Sequence, residues 1–127
     1  DYAVAYKNLG TILIDLFNLK EAEVSTRKAI ELKPDDPAAH LNLGLILKDL
    51  GKLEEAEIFT RKAIELKPFY ANANSNLGGL LLQKGEYELS LKYFSESAHL
   101  FSKQNNAVYD YKRFNTIFST FTISTFS

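Results

Sequence analysis

Apolar and polar positions along the chain keep a helical rhythm that stops and restarts. From Tyr2 to Leu16 the string YAVAYKNLGTILIDL sets apolar residues three and four apart, the spacing that lines them along one stripe of an α-helix. A polar break follows, and KEAEVSTRKAIELK from Lys20 to Lys33 resumes the spacing. The pair of segments returns as PAAHLNLGLILKDL and LEEAEIFTRKAIELK, and again as YANANSNLGGLLLQK and YELSLKYFSESAHLF. Six helices joined by short turns are therefore expected, an all-α chain.

The punctuation between segments fits. Asp36 followed by Pro37 reads as an N-cap acceptor with proline at the first helical position, where its missing N–H costs nothing. Gly51 suits a left-handed C-cap, and Pro68 closes the fourth segment. Glu54 and Glu55 in that segment's first turn and Lys67 at its end oppose the helix dipole correctly.

The rhythm is also a repeat. The string TRKAIELKP occurs at Thr26–Pro34 and again at Thr60–Pro68, a displacement of 34 residues. Residues 3–36 and 37–70 agree at 21 of 34 positions, enough to make them copies of one helix–turn–helix unit, and residues 71–104 form a third, degenerate copy. Glycine inside a helix costs roughly 1 kcal/mol against alanine, so Gly10, Gly44 and Gly78 at one repeat position need a close helix approach to explain them. Ala22, Ala56 and Ser90, then Ala29, Ala63 and Ser97, form two more small-residue columns where the helices of a hairpin should touch. Leu9, Leu43 and Leu77, with Leu13, Leu47 and Leu81, supply the larger side chains. These columns are expected to be core.

Leu9-Gly10, Leu13, Ala22, Ala29 and Pro34, matched by Leu43-Gly44, Leu47, Ala56, Ala63 and Pro68, resemble the tetratricopeptide repeat over residues 3–104. In the third copy Ser90, Ser97 and Ser102 replace the last three of these, so its second helix is expected to pack less tightly or to run on. The aromatic usual at the fourth position of a repeat is Tyr6, then His40, then Asn74; His40 and His99 are expected to be packed or groove-edge residues rather than ligands. The resemblance implies helix pairs stacked into a right-handed α-solenoid, with the first helices lining a concave surface that binds a protein or peptide.

On that surface the column Asn8, Asn42 and Asn76 stands out, one residue per repeat. Amides carry both donors and an acceptor, so three in a row could hold the backbone of an extended peptide whatever its side chains. The column is similar to the asparagines in the repeats of O-linked N-acetylglucosamine transferase; the competing reading is that these asparagines only stabilise the helix pairs. Further groove candidates by helical position are Lys7, Thr11, Ile14 and Asp15, then Leu41, Leu45, Lys48 and Asp49, then Asn72, Ser75, Gly79, Leu82 and Gln83. Repeats of this family that clamp the carboxylate of chaperone tails need more cations. Lys7 and Asn42 match that pattern, whereas Thr11, Asn72 and Asn76 depart from it, which argues against such a ligand.

Composition narrows the function from the other side. Fifteen basic and sixteen acidic residues nearly cancel, leaving no electrostatic footprint for nucleic acid. No apolar run reaches the ~20 residues of a membrane helix. Without cysteine there is no thiolate chemistry, and a reducing, cytoplasmic setting fits. No catalytic, phosphate-cradling or metal motif occurs, so no enzyme activity, cofactor or metal is expected. Arg27-Lys28 and Arg61-Lys62 with acids one turn upstream read as exposed i,i+4 pairs. A chain that contains no methionine is expected to be an excised piece of a longer protein. Residues 105–127, with RFNTIFSTFTISTFS, read as a capping helix or an apolar tail that must be covered, and are the expected route to a homo-oligomer. The leading reading is a protein-interaction module. Its alternatives are a substrate-recruiting or scaffolding arm of a multidomain enzyme, and a self-associating structural spacer.

Overall fold

A computed structural model describes residues 1–104, and the expected capping helix, apolar tail and tail-mediated oligomer at 105–127 lie outside the described residues. Six helices occur in order: α1 Tyr2–Asp15, α2 Leu19–Leu32, α3 Pro37–Asp49, α4 Leu53–Leu66, α5 Ala71–Gln83 and α6 Tyr87–Gln104. Among the described residues there is no strand.

Local chemistry sets the boundaries. Asp36 caps α3, its carboxylate accepting from the Ala38 N–H at 3.0 Å with Pro37 in the first turn, and Asp1 caps α1 in the same way through the Ala3 N–H at 2.9 Å. Each hairpin turns through one left-handed residue. Gly51 (φ 79°) and Gly85 (φ 83°) fill that place in the second and third hairpins, but in the first it is Phe17 (φ 57°). The α6 helix is 18 residues long against 14 for α2 and α4, because Ser102 stands where Pro34 and Pro68 end the earlier copies.

Each first helix packs along its hairpin partner, α2 then packs on α3 and α4 on α5, while α1, α3 and α5 lie side by side. The result is an all-α solenoid of three hairpins. Its core follows the periodic columns in the second and third copies, where Leu43, Leu47, Leu77, Leu81, Ala56 and Ala63 are fully buried, but the leucines of the first depart from it: Leu9 is 43% exposed and Leu13 half-buried because no described hairpin packs before α1. The repeat glycines mark the close approach, since a Cβ at Gly44 would stand 2.3 Å from Thr60 Oγ1 and 3.3 Å from the Ala56 carbonyl oxygen. The third copy is not packed more loosely for its serines. Ser90 Oγ donates to the Gly78 carbonyl at 2.7 Å and Ser97 Oγ to the Ala71 carbonyl at 2.8 Å, so buried hydroxyls tie α6 to α5 where alanines only touch. The expected continuation of that helix is present.

Charged side chains join successive hairpins as well as successive turns. Arg27 pairs with Glu23 on its own helix and with Glu55 on α4, and its guanidinium lies 5.4 Å from the centre of the Phe59 ring. One period later Arg61 pairs with Glu57, sits over the Tyr93 ring at 5.8 Å and donates to its hydroxyl. Lys52 reaches Glu23 at 3.2 Å and Lys84 reaches Glu57 at 2.7 Å. Hydrogen bonds from Lys84 and then Arg61 hold the Glu57 carboxyl below its ordinary range against the push of burial. The bond to Glu57, ahead of opposing burial, pushes Lys84 up to about 12. The sequence reading found the i,i+4 pairs but not these cross-repeat ones. Lys28 and Lys62 pair downstream, with Glu31 and Glu65, rather than upstream.

The candidate peptide-binding row on the first helices

The side-by-side helices α1, α3 and α5 present the periodic positions chosen from the sequence, but not equally. Asn8, Thr11 and Asp15 on α1, Asp49 on α3, and Asn72, Leu82 and Gln83 on α5 are exposed. Ile14, Asn42, Leu45, Lys48, Ser75 and Gly79 are half-buried. A Cβ at Gly79 would meet nothing within 4 Å, so this glycine opens the row locally.

The amide column is not one uniform ladder. Asn42 Nδ2 donates to Thr11 Oγ1 at 3.2 Å, linking α3 to α1 at the surface, and Thr11 in turn donates to the Lys7 carbonyl at 3.1 Å. Asn76 is only 6% exposed, and its Nδ2 donates to Thr60 Oγ1 of the preceding hairpin at 2.9 Å. Its Oδ1 is buried with no partner among the described residues. Asn76 therefore leaves the groove surface and acts inside the hairpin contact. The threonine sixteen residues earlier in sequence was the missed signal: Thr60 precedes Asn76 as Thr26 precedes Asn42. In the first pair the bond is not made, and Thr26 Oγ1 stays buried and unsatisfied.

Two other candidates are also placed differently from their helical position. Leu41 is 4% exposed and packs with Ala63 and Ala73, because α4 and α5 both close over this point of α3. Lys7 is tied to Asp36, the cap of α3, at 2.9 Å. Burial raises the Asp36 carboxyl, but the Lys7 ammonium and the Ala38 N–H outweigh it and hold the group below its ordinary value. Lys7 is thus an inter-repeat clip rather than an open cation. Lys48 makes no ion pair among the described residues.

His40 sits at the repeat's aromatic position, 5% exposed, with Nε2 donating to the Pro34 carbonyl at 2.7 Å and its ring stacked on Phe59. It is packed, as expected. No group of three or more metal-ligating side chains occurs among the described residues. Surface depressions lined by Tyr6, Ser25 and Lys28 and by Phe69, Leu100 and Lys103 lie off the row. Among the described residues no helix is long and apolar enough to cross a membrane.

Stacked helical hairpins with one open row on their first helices define the class of repeat solenoids that act through surface contact. The family model Tetratricopeptide repeat matches residues 37–70 and a second model, TPR repeat, matches residues 18–51. Residues 18–70 are thus matched as repeats of the tetratricopeptide family, and the solved structures that resemble the chain include proteins of the same repeat. Among solved structures, MamA superposes with a TM-score of 0.75 at 26% identity, covering 82% of this chain and 61% of its own. This chain thus spans about three fifths of that relative. YrrB, described as a TPR protein with an unusual peptide-binding site, gives 0.73 at 27% identity over 79% of this chain and 52% of its own. The second TPR of Spaghetti (RPAP3), bound to the HSP90 peptide SRMEEVD, gives 0.76 at 20% identity over 79% and 93%, a likeness of fold. None of the curated proteins matches the chain significantly.

Proposed function

We propose that this chain is a protein–protein interaction module that holds an extended peptide or protein segment along α1, α3 and α5. The carrying observation is the surviving amide pair, Asn8 exposed on α1 and Asn42 half-exposed on α3, flanked by Asn72 on α5. With Asn76 committed to Thr60, the peptide is gripped by two amides rather than by a full column. Tetratricopeptide proteins with peptide-binding sites, YrrB and the RPAP3 repeat among them, support the class of ligand.

The row favours a ligand with little charge. Lys7 is already neutralised by Asp36, and Asp15 and Asp49 oppose Lys48, so an acidic tail such as SRMEEVD would find no cluster of open cations here. Backbone bonds to amides, with Leu45 and Leu82 as apolar contacts, suit a neutral extended segment.

A peptide selected from a random library on the wild-type protein would test this by fluorescence anisotropy. The double variant Asn8→Ala with Asn42→Ala should bind at least about tenfold more weakly, the loss of two hydrogen bonds. Glu31→Ala, on the outer helix, should bind like wild type. Equal affinity in the double variant would move the ligand off this row. Amidating the peptide's carboxyl terminus should change nothing, and a large loss would instead favour a carboxylate clamp.

A further inference from the structure

We infer that Thr11 is a positioning residue for the row: its hydroxyl holds the Asn42 amide out on the surface, and without it that amide would turn inward onto Thr26. The part Thr11 plays in ligand binding rests on the peptide-binding reading above, whereas its grip on Asn42 does not. Asn42 and Asn76 stand one period apart, and each has a threonine sixteen residues before it, Thr26 and Thr60, both fully buried. The two hydroxyls hold the same place. A Cβ at Gly10 would stand 2.3 Å from Thr26 Oγ1, and one at Gly44 would stand 2.3 Å from Thr60 Oγ1. Only Asn76 uses the offer, its Nδ2 donating to Thr60 Oγ1 at 2.9 Å from a position 3.4 Å from the same Gly44 Cβ. No atom of Asn42 is among the three nearest to Gly10. Its Nδ2 donates to Thr11 Oγ1 at 3.2 Å instead, and the side chain stays half-exposed.

The cause lies thirty-one residues before each amide. For Asn42 that residue is Thr11, whose hydroxyl donates to the Lys7 carbonyl of its own helix at 3.1 Å and so keeps its lone pairs free to accept from α3. For Asn76 it is Leu45, which has no polar side-chain atom and packs on the apolar cluster of Leu41, Ala63 and Ala73. An amide with no acceptor beside it on the surface turns to the buried hydroxyl.

The two settings are close in free energy, because each strands one polar atom. Turned in, as at Asn76, the amide leaves its own Oδ1 buried without a partner among the described residues; turned out, as at Asn42, it leaves Thr26 Oγ1 in that state. The two desolvation costs are of the same kind and similar size. One surface hydroxyl is then enough to choose between them.

The choice decides what the row offers a peptide. With one N–H on Thr11, Asn42 keeps its Oδ1 and its second N–H uncommitted among the described residues, the acceptor and donor that an extended backbone needs. Where α3 meets α5 the half-buried Leu45 takes the place of Thr11 and the amide of Asn76 is withdrawn. A segment lying along the row therefore meets a backbone-binding amide at the first junction and an apolar side chain at the second, which fixes its register.

The test follows exchange of the asparagine side-chain amides with water by heteronuclear NMR on the full chain, which needs no ligand. In the wild type Asn42 should exchange at least about tenfold faster than the buried Asn76. Thr11→Val keeps the shape and removes the hydroxyl, and it should slow Asn42 by about tenfold as the amide turns to Thr26. Thr11→Ser, which keeps the hydroxyl, should exchange like wild type. Adding Thr26→Val to Thr11→Val removes the inward partner and should restore fast exchange, a reversal that a general loosening of α1 against α3 would not give. Asn42 exchange that is already slow in the wild type, that stays fast in Thr11→Val, or that stays slow in the double variant overturns the inference. Anisotropy with the library-selected peptide runs beside it: Thr11→Val should bind about fivefold more weakly, and Thr11→Ser and the double variant close to wild type. An amide that moves as stated with no change in peptide affinity upholds the grip of Thr11 on Asn42 and overturns the peptide-binding row instead.

Discussion

At the scale of single residues, the period turns the three copies into internal controls. Phe17 occupies the left-handed turn position that Gly51 and Gly85 fill, and it is 89% exposed, so no contact within the described residues repays its backbone strain. Phe17→Gly should therefore stabilise the chain by about 1 kcal/mol, raising Tm by roughly 4 °C in a thermal melt. No rise would mean that the aromatic ring is held by something worth as much as the strain. Asn76 and Asn8 make the opposite comparison. Asn76→Ala breaks a buried bond and strands Thr60 Oγ1, which should cost about 1–2 kcal/mol in urea unfolding, whereas Asn8→Ala should leave stability unchanged. Sequence periodicity placed the two asparagines on one row because they share a helical position. What separates them is depth: Asn8 belongs to the hairpin with no described neighbour before it, and Asn76 is covered by the hairpin that precedes α5. Spacing along a chain reports direction around a helix, and depth depends on what packs there.

At the scale of the helices, nearly everything regular was legible. The Asp36-Pro37 start, the Gly51 stop and the run-on of α6 past Ser102 follow from backbone chemistry that acts within a few residues. The cross-repeat ion pairs were not legible, because Lys84 and Glu57 lie 27 residues apart and meet only once α4 is laid on α5. Those pairs set the acid response. Glu57, Glu23 and Asp36 all titrate below their ordinary values in the folded chain: Glu57 first through its bond from Lys84, and Glu23 and Asp36 against burial through Arg27 with Lys52 and through Lys7. The unfolded chain then binds more protons in acid than the folded one, so the stabilisation is complete above pH about 5 and drains away as the pH falls through the depressed values. Glu57→Gln should lower Tm at neutral pH and flatten its decline between pH about 5 and 3. A variant whose Tm falls as steeply as wild type would show that the pair with Lys84 contributes little.

At the scale of the whole molecule, the fold was readable and the groove only in outline. Residues 37–70 announced the architecture because a hairpin that repeats must stack, and the glycine and alanine columns fixed which faces meet. The groove's chemistry depended on contacts between hairpins, which withdrew Leu41 and Asn76 from it and clipped Lys7 to Asp36. What remains open is the set of positions that the neighbouring hairpin does not use, and it is narrower and less charged than the periodic pattern alone implies.

The middle hairpin has one further property. The residues with which α2 meets the second hairpin, Glu23, Arg27 and Ile30, recur unchanged in α4 as Glu57, Arg61 and Ile64. A second copy of residues 37–70 spliced in after Tyr70 would therefore find, on α4, the same three side chains that the second hairpin already rests on. Arg61 would lie over the inserted phenylalanine as Arg27 lies over Phe59, and the new lysine would answer Glu57 as Lys52 answers Glu23. The repeat at the centre is a self-compatible brick, and the reach of the proposed binding row becomes a length that can be written into the gene one hairpin at a time.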